Sequence, residues 1–213
     1  MGIYSRKLWV FLVEGLIIAN LKTRKNRGRP RTFDLDIALS KAVLFFKNNP
    51  FNDCTLSALM SYMNLTTGSF YKAFGSKNKI FHTVLEVILI ELDRDIERIL
   101  EKYKEKKTAF RYFLALILSK DGIYGNELLR NSHYISKDDF IVRNHIEHIQ
   151  IKIKNTCKEI LSNNSKLDVN TNYNAEILCN YLIGIYFSHS IPTTMTNLEE
   201  KIEELTIKFI KDN

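Results

Sequence analysis

The chain has 213 residues, a formal net charge of +7 and 45% hydrophobic residues, which is enough apolar material for one domain or two small ones. Its eight glycines and three prolines separate long segments rich in Leu, Ile, Lys and Glu, a composition that favours helices and argues against a sandwich or barrel. Residues 1–82 contain 13 Lys and Arg against 4 Asp and Glu, whereas the rest contains 18 against 20. A basic N-terminal part indicates polyanion binding there, with a solvated basic surface as the alternative.

The first segment is apolar but short. Leu8–Ala19 falls short of the about twenty apolar residues that a membrane-spanning helix needs, and Glu14 and Gly15 interrupt it. No small-residue cleavage pattern follows, so a signal peptide is not indicated. We expect Met1–Asn20 to lie outside the natural protein, with translation starting at Leu21. The alternative is an amphipathic helix that docks on the body or on a membrane surface.

The next segment is strongly basic. Lys22–Arg31 contains six basic residues together with Gly28 and Pro30, so it cannot form a core and is predicted to be a mobile arm. Such arms neutralise phosphates or enter the minor groove beside a helix-turn-helix, which makes Arg29 and Arg31 candidate DNA contacts. A solvated tail is the alternative.

Residues 55–81 are predicted to form two short helices, a tight turn and the start of a third helix. The first helix has an apolar stripe at three- and four-residue spacing. Its members are Leu56, Leu59, Met60 and Met63. Thr55 precedes the stripe, where its side-chain oxygen can cap free N–H groups, and Asn64 and Leu65 form the corner.

The second short helix begins with Thr66 as its cap and buries Phe70 and Phe74. The remaining residues occupy its exposed faces; they are Thr67, Gly68, Ser69, Tyr71, Lys72 and Ala73. Small residues, hydroxyl groups and one Lys are poorly suited to catalysis, but such a helix fits the major groove of DNA.

The motifs Thr-Leu-x-x-Leu at 55–59 and Leu-Thr-Thr-Gly-Ser-Phe-Tyr-Lys-Ala-Phe-Gly-Ser-Lys at 65–77 resemble the DNA-binding half of a TetR/AcrR-type transcriptional regulator. The resemblance covers roughly residues 29–84. It implies an all-α protein with an N-terminal three-helix helix-turn-helix head at 33–82 and a helical ligand-sensing and dimerisation body at 83–213, preceded by an extension and arm at 1–32. It also implies phosphate contacts from Thr55, Thr66, Ser69, Tyr71 and Lys77. Base-edge contacts are implied for Ser57, Thr67, Gly68 and Lys72.

The rest of the chain is predicted to be helical. Helices are expected from Phe81 to about Lys106 and then over four further segments before the last. These are Ala109–Ser119, Asn126–Tyr134, Phe140–Leu161 and Ala175–Phe187, followed by Leu198–Ile210, with a polar loop at 163–174. The last two helices offer more apolar surface than one chain needs to bury. The side chains concerned are Leu178, Leu182, Ile185, Tyr186, Leu205, Phe209 and Ile210. Two chains that pair these helices as a four-helix bundle would bury it, and the resemblance implies this homodimer.

Other candidate sites are weaker. The resemblance implies a small-molecule cavity lined by aromatics, for which Phe113, Tyr124, Tyr134 and Tyr186 are candidates, although ordinary core packing is the stronger interpretation on physical grounds. His145 and His148 are spaced for a shared metal, but no further ligand motif completes a set, so we expect neither a metal nor a cofactor. The scattered cysteines are predicted to be buried reduced thiols, with a redox sensor as the alternative; they are Cys54, Cys157 and Cys179.

No hydrolase motif, phosphate-binding Gly loop or carboxylate pair in apolar surroundings indicates an enzyme. The prediction is a cytoplasmic, homodimeric repressor that blocks a promoter, has no membrane partner, and is released from a double-stranded DNA operator by an unknown small molecule. Ligand in the body would move the helix that begins near Ser76 like a lever and change the distance between the two recognition helices. The alternative is a ligand-independent DNA-binding or architectural protein that acts through a partner.

Overall fold

A computed structural model describes residues 34–119, 127–162, 169–187 and 195–210 of the chain. Within these residues the chain forms nine α-helices and no strand. The helices are α1 (Leu35–Asn48), α2 (Leu56–Met63), α3 (Thr67–Phe74), α4 (Lys77–Lys102), α5 (Lys106–Leu118), α6 (Glu127–Ile135), α7 (Phe140–Leu161), α8 (Val169–Phe187) and α9 (Met195–Phe209). The predicted all-α class is therefore confirmed.

The described chain divides into two compact units. The first comprises the described parts of Met1–Phe45 together with Thr55–Ile80, and the second comprises Phe46–Cys54 and the described parts of Phe81–Asn213. None of the helices in the described part of the chain is long and apolar enough to span a membrane.

The first unit is a small helical cluster around an apolar centre. Asp34 caps α1, because its Oδ1 accepts hydrogen bonds from the N–H groups of Asp36 (2.9 Å) and Ile37 (3.2 Å). The rings of Phe45 on α1 and Tyr62 on α2 lie 5.4 Å apart. The buried side chains of this unit are Ala38, Ala42, Val43, Phe45, Leu59, Met63, Phe70 and Ile80. Burial at the predicted three- and four-residue spacing is what holds these short helices together.

In the second unit α7 packs against α5, α6 and α8, and α5 also packs against α9. Ion pairs cross two of these interfaces, Lys154 with Glu176 between α7 and α8 and Arg111 with Glu203 between α5 and α9. The Lys106 ammonium donates to the Leu161 carbonyl over 2.9 Å and ties the start of α5 to the end of α7. Burial of Phe110, Phe113 and their apolar neighbours supplies most of the stabilisation of this unit.

Several predicted boundaries in this unit are wrong: α5 and α9 each begin three residues before the predicted Ala109 and Leu198, and two other boundaries differ by more. The helix after Phe81 ends at Lys102 rather than near Lys106, because the Glu105 carboxylate caps the next helix by accepting from the N–H groups of Lys107 (2.9 Å) and Thr108 (2.7 Å). Helix α8 begins at Val169, six residues before the predicted start. Asn and Thr residues favour loops because they compete for backbone hydrogen bonds, but packing of α8 on α7 overrides that preference.

The prediction that the last two helices carry more apolar surface than one chain can bury is wrong for four of the seven side chains concerned. Leu178, Leu182, Leu205 and Ile210 are buried within a single chain. Phe209 is half-buried, and the side chains of Ile185 and Tyr186 lie outside those described. The helical period was correct, but which faces meet within one chain depends on how α5, α7 and α9 pack.

Candidate DNA interface

Helices α2 and α3 are joined by a corner of three residues, Asn64, Leu65 and Thr66. Asn64 adopts a left-handed conformation (φ 58°, ψ 43°), and its N–H donates to the carbonyls of Met60 and Ser61. The Leu65 N–H also donates to the Met60 carbonyl, over 3.0 Å. These bonds satisfy carbonyls at the end of α2 and turn the chain, as predicted for this position.

Hydroxyl groups cap all three helices that begin in residues 55–77. Thr55 Oγ1 accepts from the Ala58 N–H over 3.1 Å at the start of α2. Thr66 Oγ1 accepts from the Ser69 N–H over 3.3 Å at the start of α3, which confirms both predicted caps. Ser76 Oγ accepts from the Lys79 N–H over 3.1 Å at the start of α4.

These neutral caps contrast with carboxylate caps elsewhere in the described chain. Asp34, Glu105 and Asp139 cap α1, α5 and α7, and each places a negative charge on the positive end of its helix. The first turns of α2, α3 and α4 contain no acidic residue. Three N-termini in one compact unit thus keep their partial positive charge, and such ends bind phosphate.

The exposed faces of α3 are those predicted except at Ser69, which is half-buried because its N–H and Oγ both bond to the Thr66 hydroxyl. Phe70 is fully buried and Phe74 half-buried, whereas Thr67, Gly68, Tyr71, Lys72 and Ala73 are exposed. Tyr71 is 51% exposed, and its ring packs edge-on against Phe70 with centroids 5.9 Å apart. The Tyr71 ring therefore has one packing contact, while about half of the residue stays exposed.

Gly68 lies in the first turn of α3, exposed to solvent. A Cβ built on Gly68 would meet no other atom within 4 Å, so nothing within the described chain requires a glycine here. A helical glycine lowers helix stability by about 1 kcal/mol relative to alanine. Gly68 therefore leaves the backbone in the first turn of α3 open to close approach.

The remaining predicted DNA contacts differ in exposure and in hydrogen bonding. Thr55 and Ser57 are exposed at the start of α2, and Lys77 is the half-buried first residue of α4. The Thr66 hydroxyl donates to Ser69 Oγ over 3.0 Å while it accepts from the Ser69 N–H. Thr66 would therefore have to give up its bond to Ser69 to donate to a phosphate, whereas Ser69 Oγ only accepts in that bond. Arg29 and Arg31 lie outside the described residues.

Two parts of this region were missed by sequence reasoning. Ser76 lies before α4 and caps it rather than starting it, and the segment Ser-Lys-Asn-Lys carries the local signal for this, a hydroxyl at a capping position. The side-chain contact between Lys41 and Asn64, described below, joins residues far apart in sequence and has no local signal.

Of the aromatic candidates for a ligand cavity, Phe113 is fully buried in α5. Tyr124 lies outside the described residues, and Tyr134 and Tyr186 lie on α6 and α8 with side chains outside those described. The burial of Phe113 suits the core interpretation and does not by itself define a cavity.

The cysteines and histidines are not assembled into a site in the described part of the chain. Cys54, Cys157 and Cys179 are buried and form no disulfide within the described residues, as predicted, and burial raises the pKa of the Cys157 thiol. His148 is exposed, whereas His145 is half-buried. No group of three metal-binding side chains occurs among the described residues.

Comparisons with known proteins agree with this geometry. No family profile matches the chain. The HTH-type transcriptional repressor ComR of Escherichia coli K12 is 27% identical over 150 residues, which cover 65% of this chain and 68% of ComR. A cysteine mutant of the TetR family regulator CifR, solved with a 26-bp double-strand operator DNA, has a TM-score of 0.69 and 21% identity, over 85% of this chain and 100% of CifR. A TetR regulator from Legionella pneumophila has a TM-score of 0.67 and 16% identity, over 88% of this chain and 100% of that one.

The chain therefore has the fold of the TetR-family transcriptional regulators, and the resemblance expected from residues 55–77 is confirmed.

Proposed function

We propose that this protein is a sequence-specific DNA-binding transcriptional regulator, a homodimeric repressor that a small molecule releases from its operator. The head is assigned to residues 33–82 and the sensing and dimerisation body to residues 83–213. The cytoplasm is its expected location, and we expect no catalytic activity.

The observation that carries this proposal is the set of three hydroxyl-capped helix N-termini at Thr55, Thr66 and Ser76, each without an acidic residue in its first turn. They hold partial positive charge where the exposed face of α3 offers Thr67, Gly68 and Lys72. Phosphates contacted by helix ends fix orientation on a duplex, and the side chains of α3 can then read base edges in the major groove. The relatives support this assignment, since CifR was solved on operator DNA and ComR is a repressor.

The test is selection of DNA from fragments of the genome that encodes the protein, followed by sequencing of the retained fragments. We expect a few sites with a shared sequence. The double variant Tyr71→Phe with Lys72→Ala should retain fewer of them, whereas Lys137→Ala, an exposed lysine beyond α6, should retain the same set. Retention of fragments without any shared sequence would contradict a sequence-specific regulator.

Ligand control is tested separately from DNA binding. A small molecule that binds the folded body raises the melting temperature by mass action and should weaken binding to the selected DNA. Compounds that raise the melting temperature without changing DNA affinity would instead favour the ligand-independent alternative.

A further inference from the structure

The corner between α2 and α3 contains a residue in a backbone conformation that residues other than glycine seldom adopt. Asn64 is the one residue other than glycine with positive φ among the described residues. This region is disfavoured for L-residues because Cβ approaches the carbonyl, and asparagine tolerates it better than most. A glycine would take the same conformation without that cost, so the asparagine side chain is expected to contribute something that glycine cannot.

The side chain of Asn64 connects two helices. With its amide oriented to satisfy both neighbours, Nδ2 donates to the Ser61 carbonyl over 3.2 Å and Oδ1 accepts from Lys41 Nζ over 2.8 Å. Ser61 lies in the last turn of α2, and Lys41 lies in the middle of α1. One amide thereby joins α1 to the corner itself.

A second contact from the same stripe of α1 reaches the same end of α2. Phe45, four residues after Lys41, packs against Tyr62 with ring centroids 5.4 Å apart. Residues four apart share a helix face, so α1 holds the end of α2 by one polar and one aromatic contact. The chain continues from Asn64 through Leu65 to Thr66, the cap of α3, so the corner sets where the recognition helix begins.

We propose that Lys41 is a positioning residue for DNA recognition, which acts through Asn64 to hold the orientation of α3. This rests on the proposed function, since it concerns how the same interface is held ready. A lysine that contacts a phosphate contributes to binding of any sequence, whereas a lysine that holds α3 in place contributes to the difference between the selected sequence and others. Ordering α3 before binding reduces the entropic cost of the specific complex.

The test uses the full-length protein, a duplex obtained by the genomic selection above and a duplex of scrambled sequence. The variants are Lys41→Met, Asn64→Gly and their combination, with Lys41→Arg as the conservative replacement and Lys137→Met as the matched control. Each single variant should bind the selected duplex about fivefold more weakly, equivalent to about 1 kcal/mol, with less than about a twofold change on the scrambled duplex. The double variant should bind the selected duplex as tightly as the single variant with the larger loss, because both substitutions remove the same contact.

Two further readouts separate positioning from other roles. Lys41→Arg should recover affinity, since a guanidinium can donate to Asn64 Oδ1. Asn64→Gly should melt at or above the wild-type temperature, because glycine accepts the left-handed conformation, so its loss of affinity would not reflect unfolding. Amide hydrogen exchange of residues 66–70 in the DNA-free protein should be faster in both single variants.

Some results would overturn the proposal. If Lys41→Met weakens both duplexes equally and lowers the salt dependence while Asn64→Gly binds normally, Lys41 contacts a phosphate. Unchanged exchange of residues 66–70 in both variants refutes positioning even if no duplex can be selected. Failure to select any duplex, by contrast, refutes the proposed function itself.

Discussion

His82 on α4 and Asp139 at the start of α7 share a hydrogen bond, with 2.7 Å between Nε2 and Oδ2. The other carboxylate oxygen of Asp139 accepts from the N–H groups of Ile141 (3.0 Å) and Val142 (3.1 Å). One carboxylate therefore caps α7 and binds α4. Burial alone would raise the pKa of Asp139, but the hydrogen bonds from His82 and the two backbone groups hold it below its ordinary value.

Replacing Asp139 should separate these two roles. Asp139→Asn keeps an oxygen for the cap, so it should lower the free energy of unfolding by about 1 kcal/mol or less, whereas Asp139→Ala should lose about 2 kcal/mol. Because the folded pKa is depressed, the Asp139 contribution is present above its ordinary pKa of 3.8 and lost as pH falls through the folded value. Urea unfolding at pH 7 measures the free energy of unfolding of both variants. Equal losses of that free energy in Asp139→Asn and Asp139→Ala would contradict the capping role.

His145, also on α7, should make the protein less stable in mild acid. Its Nδ1 is buried with no hydrogen-bond partner among the described residues. Burial lowers the pKa of His145 from 6.5, aided by His82 and His148 and opposed by Glu86 and Asp139. The unfolded chain then binds the proton more readily, so this contribution is present above pH 6.5 and lost as pH falls below it.

His145→Gln should therefore reduce the loss of unfolding free energy between pH 7.5 and pH 5 by about 0.5 kcal/mol, a value that allows for solvent screening. His148→Gln, exposed one turn further along α7, is the comparison and should reduce the loss by less than His145→Gln does, because it removes only one of the smaller contributions to the lowered pKa of His145. A His145→Gln curve parallel to that of the wild type would show that the imidazole is not responsible.

Asp95 on α4 should have the opposite effect on pH dependence. Burial raises the pKa of Asp95 from 3.8 to about 6; Glu91 adds to this, while Arg98, whose Nη1 lies 3.3 Å away, opposes it. The folded state binds the proton more readily, so stability falls as pH rises from 3.8 to about 6 and stays reduced above it.

Asp95→Asn removes this cost and should raise the free energy of unfolding at pH 7.5 by about 1 kcal/mol, after discounting for partial exposure, and by much less at pH 4. Asp93→Asn is the matched control, because Asp93 Oδ1 lies 2.7 Å from Lys152 Nζ and its replacement should cost up to about 1 kcal/mol. Destabilisation by Asp95→Asn at pH 7.5 would show that the carboxylate is net favourable there.

Gly68→Ala should change stability and DNA binding in opposite directions. The added Cβ meets nothing in the free protein, so the free energy of unfolding should rise by about 0.5–1 kcal/mol. Against the selected duplex the same methyl group would crowd the groove and should weaken binding by about 1–3 kcal/mol. Ala73→Gly, exposed on the same helix, should lower stability without that loss of affinity. A stabilised Gly68→Ala variant with normal affinity would remove Gly68 from the interface.

Much of the head was predictable because its signals are local. Thr55 and Thr66 cap helices by bonds to groups three residues ahead, and the apolar spacing around Leu59 and Phe70 specifies a buried face. The left-handed corner at Asn64 also follows from a short-range pattern.

The body was less predictable because the contacts that hold it together join residues far apart in the sequence. Hydrogen bonds such as that of His82 with Asp139, 57 residues apart, have no periodic signature. The burial of Leu178 and Leu205 depends on which helices pack together, so their apolar character alone could not distinguish core from a surface for a second chain.

Substitutions of Tyr71 and Lys72 should weaken DNA binding in different ways. The Lys72 ammonium, if it reads a base, contributes about 1–3 kcal/mol, and Lys72→Ala should relax preference at one position of the site. Tyr71→Phe keeps the ring packed on Phe70 and removes only the hydroxyl, so it should weaken all sequences alike. Repeating the selection with each variant measures both effects. An unchanged base preference in Lys72→Ala would assign Lys72 to the phosphate backbone.

The proposed homodimer should depend on the apolar side chains that α8 and α9 leave exposed. Tyr173 and Ile177 lie four residues apart on α8, and Ile207 on α9 is 68% exposed. Ile177→Glu combined with Ile207→Glu would bury charge in such an interface and should give a species of 24.9 kDa by light scattering, where the wild type gives twice that mass. Ile151→Glu, 55% exposed on α7, is the matched control and should remain dimeric.

The same variants test how the dimer reads DNA. Two recognition helices related by a two-fold axis should protect a near-palindrome whose half-sites lie about one helical turn apart, or a multiple of it. The monomeric variant should bind one half-site weakly, since it loses the effective concentration that links the two heads. A wild-type footprint over a single asymmetric site, or dissociation by Ile151→Glu alone, would contradict pairing through the last two helices.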